Sequence, residues 1–425
     1  MNSYPFDKRI IYPAQLSTQS IGYLDVRCTR TNLTPVENAT ISISSSGSPQ
    51  NIIEEFKTDS SGLIEGIPLY TPSIDYSLEP SAEQPYAEYN ISVRAPGFES
   101  VVISDSQLLA DVTAEQDVMM LPLAPIGANE AISYVIPPHT LFGDYPPKIA
   151  EDEIKPVGES GEIVLQNVVI PEFVIVHDGP PNSKAKNSYV RFRDYIKNVA
   201  SSEIYATWPD SAIYANILAI LSFTLNRVFT EWYFNKGYNF TITSSTAYDH
   251  KWMPGRNIYN TIGLAVDNVF VNFLSRPGIL QPILTQYCDG NNASCPGWMT
   301  QWGSKNLADQ GRTPIEILRH YYGPSIFINT ATEVSGVPQS WPGENLVIGT
   351  KNTSVRQMQA QLNRIAETYT EIPKIAVDGS YGPATSKAVS TFQKIFKLPV
   401  TGVVDFPTWY KISGIYVAVS RIAEL

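Results

Sequence analysis

Glu203 is the residue of this chain best placed to act as a general acid. Apolar side chains recur at helical spacing over residues 194–200, and a second amphipathic run begins at Trp208 and Pro209, where a helix tolerates proline. Glu203 therefore falls at a helix end or in a turn. Its apolar neighbours predict partial desolvation, which raises the pKa of a carboxyl group and keeps a proton available near neutral pH. The alternative is a water-exposed helix-terminal glutamate.

Two separate stretches carry the pattern to which Glu203 belongs. Residues 193–209 read Arg-Asp-Tyr-Ile-Lys-Asn-Val-Ala-Ser-Ser-Glu-Ile-Tyr-Ala-Thr-Trp-Pro. The second stretch has Gly297-Trp-Met-Thr-Gln-Trp-Gly303, followed by Glu316-Ile-Leu-Arg-His-Tyr-Tyr322. In this order they resemble two elements of the SpoIID/LytB family, in which the first element carries a catalytic glutamate. The resemblance places that glutamate at Glu203 and implies an α+β domain, residues 166–340, that acts on peptidoglycan.

The chain departs from the family pattern at two places. Larger side chains replace the small residues of the family's helix, so the packing of that helix must differ; they are Ile217, Ile220, Leu221 and Phe223. His250 stands where the family usually has glutamine.

Several aromatic and amide side chains are candidates for binding the glycan, because aromatic faces stack on pyranose rings and amides can hold N-acetyl groups. The predicted substrate-binding residues are Tyr248, Asp249, Tyr287, Gln301 and Trp302. Aromatic residues at such spacing also build cores, and this is the alternative for each of them.

The resemblance implies a lytic transglycosylase with one acid/base. The glutamic acid protonates the glycosidic oxygen between N-acetylmuramic acid and N-acetylglucosamine, and the carboxylate then accepts the proton of the muramic C6 hydroxyl as a 1,6-anhydro ring closes. A second carboxylate is not obligatory, unlike in ordinary glycosidases. Asp194 and Asp210 are better explained as charges at helix starts.

Residues 345–425 contain a short internal repeat. Val377-Asp-Gly379 followed by Thr385 is echoed by Val400-Thr-Gly402 followed by Thr408, and each glycine suits a tight turn into a helix. The predicted core residues are Leu362, Val389, Phe392 and Trp409, and the predicted ligand contacts are Arg356, Ser380 and Tyr381. This pattern resembles the small three-helix peptidoglycan-binding module found on many wall hydrolases.

Residues 1–125 alternate between apolar and polar side chains and are broken by Ser- and Gly-rich turns, which predicts an antiparallel β-sandwich. The segment resembles the transthyretin-type, carboxypeptidase regulatory-like sandwich, a non-catalytic module. Residues 126–165 are rich in proline and charge, and we expect a linker or a wrapped extended segment. His139 is interpreted as an ordinary linker histidine.

The charge balance argues against nucleic acid as a partner. The 30 basic and 41 acidic residues give a net charge of −11, and no dense basic stripe occurs. Neither a signal peptide nor a membrane span is visible in the sequence, so we expect a protein that reaches the wall by another route, such as packaging into a spore.

Three cysteines leave three alternatives open. Cys288 and Cys295 could bind a metal, form a local disulfide or remain free thiols, and Cys28 fits a small buried residue on a strand. A zinc site would need further ligands, for which His250 and His320 are candidates. The predicted metal ligands are Cys288, Cys295 and His250, although the chemistry itself requires no cofactor.

The order of sandwich, linker, SpoIID-like domain and binding module resembles the spore cortex-lytic enzymes. That resemblance implies a germination enzyme for cortex peptidoglycan, stored as a proform and activated by a subtilisin-like Csp-type protease that removes the N-terminal region. The alternatives are a non-catalytic enhancer of an amidase and a hydrolytic glycosidase, either muramidase or glucosaminidase. A serine or cysteine hydrolase is disfavoured, because the sequence has neither a G-x-S-x-G nor an H-E-x-x-H motif.

Overall fold

The computed structural model describes residues 19–123, 131–155 and 167–420. Within these ranges the chain is a multi-domain α+β protein with eight α-helices and several small sheets. The N-terminal strands are β1 (Gln19–Thr29), β2 (Thr40–Ser45), β3 (Ile52–Lys57), β4 (Leu63–Pro72), β5 (Ala87–Arg94), β6 (Val101–Leu108), β7 (Thr113–Met119) and β8 (Ile132–Val135).

The central region alternates short strands with helices. Its strands are β9 (Val169–Ile170), β10 (Phe173–His177), β11 (Asn187–Arg191), β12 (Ile242–Thr243), β13 (Ile258–Tyr259), β14 (Asn272–Ser275), β15 (Tyr287–Cys288), β16 (Met299–Thr300), β17 (Phe327–Thr330) and β18 (Glu333–Val334). Its helices are α1 (Phe192–Glu203), α2 (Asp210–Phe229), α3 (Asn260–Val269), α4 (Gln301–Asp309) and α5 (Pro314–Tyr322). The C-terminal helices are α6 (Thr353–Ile365), α7 (Pro383–Ile395) and α8 (Phe406–Ser420).

The N-terminal region is a two-sheet sandwich whose core strands alternate as predicted. One sheet has the order β3-β2-β5-β6-β8 and the other has the order β4-β1-β7-β13. Leu24, Val26 and Cys28 point inward from β1, and Ile41 and Ile43 point inward from β2. Burial raises the pKa of the Cys28 thiol to about 12, so this cysteine is a small apolar core residue.

The prediction of a purely antiparallel sandwich is wrong in two places. β7 lies parallel to β1, and β8 lies parallel to β6. The turn after β6 carries the chain from one sheet to the other, so β7 arrives beside β1 running in the same direction. β8 belongs to the segment predicted as a linker, and it extends the first sheet by one strand.

The sandwich also shares a sheet with the central region. β13 pairs with β7 through Ile258 and Tyr259, which lie opposite Glu115 and Ala114. Further along, the side chain of Asn257 donates to the backbone oxygen of Gln107 at 2.8 Å. The two regions are therefore joined by backbone and side-chain hydrogen bonds as well as by apolar packing.

α2 is the central core helix. By length and composition it could cross a membrane, but almost all of its residues are buried inside the protein, so it serves as the core of a folded domain. Several of its polar residues find partners inside the protein, as when Asn216 donates to Ser304 at 2.7 Å and Arg227 pairs with Asp249 at 2.7 Å. Among the described helices, only α2 meets those two criteria.

The repeat predicted from the sequence is present in the C-terminal domain as two equivalent turns, each held by the side chain of a glutamine. Gln359 donates to the oxygens of Asp378 and Thr385 and accepts from the amide of Gly379. Gln393 does the same at the second turn, where it donates to Thr401 and Thr408 and accepts from Gly402. The four predicted core side chains, Leu362, Val389, Phe392 and Trp409, are all buried. Tyr381 is buried too and donates to the Gly402 carbonyl at 2.8 Å, so its role is structural rather than ligand binding.

Candidate active site around Glu203

Glu203 is the last residue of α1, as predicted from the sequence. Its side chain has no exposed surface, and the carboxyl group accepts two hydrogen bonds. The backbone N–H of Lys251 donates at 2.6 Å and the hydroxyl of Tyr287 donates at 2.5 Å. Burial raises the pKa of Glu203, while the charge of Lys148 and the two hydrogen bonds oppose the rise. The predicted desolvation is therefore confirmed, and the helix C-terminus further disfavours the anion.

Tyr287 is the one predicted substrate-binding residue that contacts Glu203 directly. It lies on β15, which pairs with β16 in parallel, and β16 leads directly into α4. The ring of His250 stacks on Tyr287 with centroids 5.7 Å apart, and Nδ1 of His250 lies 3.2 Å from the hydroxyl of Tyr195. Burial and the nearby cations lower the pKa of His250, which keeps the imidazole neutral.

Lys148 was missed by the sequence analysis and is buried beside this group. Its ammonium donates to the backbone oxygen of Asp249 at 2.6 Å and lies 4.7 Å from the centroid of the Tyr287 ring. Burial lowers the pKa of Lys148 to about 8, against the opposing charges of Glu203 and Asp249. A lysine among the prolines of a predicted linker gives no local signal of such a position.

Residues 139–155 are here called the covering segment. This segment passes beside the residues that surround the carboxyl group of Glu203. Thr140 donates to the Ser202 carbonyl at 3.0 Å, and the N–H of Ile149 donates to the Ala247 carbonyl at 2.8 Å. Tyr145 packs on Cys288, and both burial and the Glu203 charge raise its pKa. Residues 142–146 line a surface depression together with Asn292. The covering segment therefore packs against the elements that surround the candidate acid.

The covering segment is also held by a buried ionic cluster. Arg227 donates to Glu151 at 2.6 Å and 3.0 Å and to Asp249 at 2.7 Å. Asp249 receives three more hydrogen bonds, from the hydroxyl of Tyr233 and from the backbone and side chain of Thr243. All of its acceptor positions face donors inside the protein, so Asp249 is a structural residue and the prediction that it binds substrate is corrected.

The other predicted groove residues lie close to the site but not on an open surface. Trp302 is buried against Trp208 at a centroid distance of 5.0 Å and against Tyr205 at 6.0 Å. Gln301 is fully buried at the start of α4, and Tyr248 is half-buried. Their roles remain predictions. His139, interpreted as a linker histidine, is instead buried against the Tyr205 ring at 4.5 Å.

Several buried polar atoms around Glu203 have no hydrogen-bond partner. They are the hydroxyl of Tyr145, Nε2 of His250, both amide atoms of Gln301 and Nε1 of Trp302. An unpaired buried donor or acceptor costs about 1–3 kcal/mol, so such groups are rare in structural cores. Seven further atoms of this kind lie elsewhere in the described residues, so these five show only that unpaired polar groups adjoin the carboxyl group.

The three alternatives for the cysteines are resolved by a disulfide between Cys288 and Cys295. Paired sulfurs cannot serve as thiolate ligands, so the predicted metal site at Cys288, Cys295 and His250 is corrected. In the described part of the chain no three His, Cys, Asp or Glu side chains are grouped to hold a metal ion. The bridge closes the loop that links β15 to β16 and thereby holds Tyr287 close to α4.

The described C-terminal helices correspond to a known domain. Residues 351–412 match the family "Putative peptidoglycan binding domain". This match supports a peptidoglycan-binding domain at the C-terminus and suggests association with the cell wall. The match ends at residue 412 and does not include the residues around Glu203. No curated protein matches the chain.

Two solved structures align with part of the chain. Wild-type catechol 1,2-dioxygenase from Acinetobacter radioresistens matches with 12% identity and a TM-score of 0.17, covering 28% of this chain and 58% of that one. Catechol 1,2-dioxygenase from Acinetobacter sp. ADP1 matches with 11% identity and a TM-score of 0.18, covering 28% and 60%. This chain thus spans under two thirds of either enzyme, and scores this low carry neither fold nor activity over to it.

Alkylation before and after reduction checks the disulfide. The protein denatured without reductant should carry one alkylated thiol, that of Cys28, and all three cysteines should be alkylated after reduction. Mass spectrometry of the intact chain counts the labels. Three labels without reductant, together with release of a metal ion on unfolding, would instead support the zinc site.

The buried carboxyl group predicts a pH-dependent stability difference between the wild type and Glu203→Gln. The folded pKa of Glu203 lies above its unfolded value, so its contribution is complete at low pH and is lost as pH rises through the folded pKa. The Glu203→Gln variant has no such loss. Its melting temperature relative to wild type should therefore increase between about pH 4.5 and pH 8.

Glu316 is the matched control with the opposite sign. Hydrogen bonds from Thr313 in a helix capping box lower the pKa of Glu316. Because its pKa is lowered, the Glu316 carboxylate stabilises the fold above the unfolded pKa, and this contribution is lost in acid. Glu316→Gln should therefore lower the melting temperature near pH 7 and have little effect on it in acid. A pH-independent difference for Glu203→Gln would show that the pKa of Glu203 is not raised in the fold.

Proposed function

We propose that this protein is a peptidoglycan lytic transglycosylase that cleaves the bond between N-acetylmuramic acid and N-acetylglucosamine and leaves a 1,6-anhydromuramic end. The observation that carries the proposal is the fully buried Glu203 with its raised pKa, in a chain whose C-terminal residues match a peptidoglycan-binding domain. A raised pKa supplies the proton that the leaving oxygen needs.

The surroundings of Glu203 favour one acid/base rather than a pair. The nearest acidic neighbours along the site are engaged elsewhere: Asp249 is paired with Arg227, and Asp289 accepts from the backbone N–H groups of Asn292 and Ala293. In the described residues, neither carboxylate is placed to activate a water opposite Glu203. An intramolecular attack by the C6 hydroxyl needs no second carboxylate, and the same glutamate can return to its protonated state.

The residues next to Glu203 have definable roles in such a reaction. Tyr287 donates to the carboxyl group and orients it, and Lys148 stabilises the carboxylate that forms after proton transfer. The aromatic group of Tyr205, Trp208 and Trp302 is suited to pack against sugar rings once it is accessible.

We further propose that the protein is stored in the bacterial spore as a closed proform of the kind known from the spore cortex-lytic enzyme SleC, for cortex peptidoglycan and activation by a subtilisin-like protease. The support is that Glu203 has no exposed surface and that the covering segment is hydrogen-bonded to the end of α1 that carries it. A glycan strand cannot reach the carboxyl group until that segment moves.

The Glu203→Gln variant tests the chemistry. After both proteins have been cut within residues 156–166, the variant should release anhydromuropeptides from cortex peptidoglycan about 10²- to 10⁴-fold more slowly than wild type, because glutamine cannot donate or accept the proton. Mass spectrometry of the products measures both rate and end group. Asp194→Asn, on an exposed position of the same helix, is the matched control and should retain activity. Near-normal release by Glu203→Gln would refute the assignment, and reducing ends from wild type would indicate a hydrolase.

Two inserted protease sites test the closed proform. One site is placed within residues 124–130, between sandwich and covering segment, and the other within residues 156–166, after the covering segment. Cutting at the second site should raise the rate of cortex cleavage, because the covering segment can then leave. Cutting at the first site alone should raise it less. Equal rates for cut and uncut protein would contradict the proposal.

A further inference from the structure

The sandwich contacts the peptidoglycan-binding domain as well as the candidate active site. Arg27 donates to the backbone oxygen of Ile395 at 2.6 Å, and the hydroxyl of Tyr369 donates to the backbone oxygen of Leu33 at 2.6 Å. Lys397 pairs with Asp25 at 3.1 Å and also with Glu65. These contacts connect the two ends of the chain.

A further pair of contacts extends the same interface. The hydroxyls of Ser60 and Ser61 donate to Glu371 at 3.0 Å and 3.1 Å. The sandwich therefore engages a contiguous face of the binding domain, here called the covered face and formed by Tyr369, Glu371, Phe396 and Lys397.

The covered face combines apolar rings with a cation. The rings of Tyr369 and Phe396 are in edge contact at 4.9 Å and are only 1% and 4% exposed. The guanidinium of Arg27 lies 5.2 Å from the centroid of the Phe396 ring. Without the sandwich this face would present a ring pair, a lysine ammonium, a carboxylate and a backbone carbonyl together, which is an amphipathic surface suited to a ligand with both charges.

The sandwich residues that occupy the covered face show what ligand fits it. Asp25 and Arg27 are two residues apart on β1, so they point to the same side of an extended chain. The covered face thus accommodates a carboxylate next to a cation, presented by the side chains of one strand. The stem peptides of peptidoglycan have this chemistry, since they are short extended chains with carboxylates and a diamino acid.

We propose that the covered face is a binding surface for the stem peptides of peptidoglycan, and that β1 occupies it as an intramolecular competitor. The inference rests on the peptidoglycan-binding domain and not on the chemistry at Glu203. A tethered competitor acts at an effective concentration of about millimolar, so a ligand of ordinary affinity is excluded while the sandwich stays in place.

The test measures binding of full-length protein to insoluble peptidoglycan in a Glu203→Gln background, which separates binding from any cleavage. Substitutions on the sandwich side, Asp25→Ala with Arg27→Ala and Glu65→Ala, should increase bound protein about tenfold, which corresponds to about 1.4 kcal/mol. Substitutions on the domain side, Phe396→Ala with Lys397→Ala, remove the same contacts but also the proposed ligand contacts. They should therefore not increase the amount of bound protein.

Controls and a second ligand complete the design. Glu79→Ala with Arg94→Ala, two exposed positions on the sandwich, should leave binding unchanged. If the sandwich-side variant does not show the cooperative melting of the parent, the milder Ser60→Ala with Ser61→Ala replaces it. When the stem peptides have been removed from the peptidoglycan by an amidase, the sandwich-side variant should bind no more than its parent.

Three outcomes would overturn the proposal. An equal gain for sandwich-side and domain-side variants would make the covered face a structural contact only. A gain that persists on stripped glycan would assign the face to the sugar chain rather than to the stem peptide. No gain for any folded sandwich-side variant would show that β1 does not compete for the wall.

Discussion

Glu203 buries a carboxyl group at the end of a helix, and the surrounding contacts supply the hydrogen bonds that water cannot supply there. The last turn of a helix leaves carbonyl groups without intrahelical partners, and a carboxylate there opposes the helix dipole. In this protein the Ser201 carbonyl accepts from Arg256, and the Ser202 carbonyl accepts from Thr140 of the covering segment. The carboxyl group of Glu203 is then satisfied by Lys251 and Tyr287. Segments that come before and after α1 in the chain therefore supply the hydrogen bonds that this buried helix end needs.

Local features of the fold could be predicted from the sequence. The end of α1 at Glu203, the inward-facing residues of β1 and the repeated turns of the C-terminal domain each depend on side-chain periodicity or on turn residues. What could not be predicted depends on partners distant in sequence. Lys148 has an ordinary local context, and only the fold brings it within 2.6 Å of the Asp249 carbonyl. Asp249 was predicted to bind substrate, but Arg227 fixes its carboxylate inside an ionic cluster.

The boundaries between the domains follow contacts more than composition. A proline-rich segment reads as a linker because it lacks periodicity, yet β8 extends a sandwich sheet and residues 139–155 pack across the central region. Arg27 and Tyr369 likewise join the first sheet to the last domain. The N-terminal region is thus part of the structural framework of both other regions, which gives its removal consequences at two separate surfaces.

The pairing of β7 with β13 has a consequence for the order of folding. A ribosome releases residues 114 and 115 long before residues 258 and 259, so the second sheet of the sandwich lacks its edge strand while the intervening chain is synthesised. Contacts between residues so distant in sequence form slowly, because the closure of a long loop costs entropy before the contact is gained. During that interval the edge of β7 is without its partner strand. Once the chain has been cut between them, the two pieces would have to find each other by diffusion, and the native pairing would become a bimolecular event.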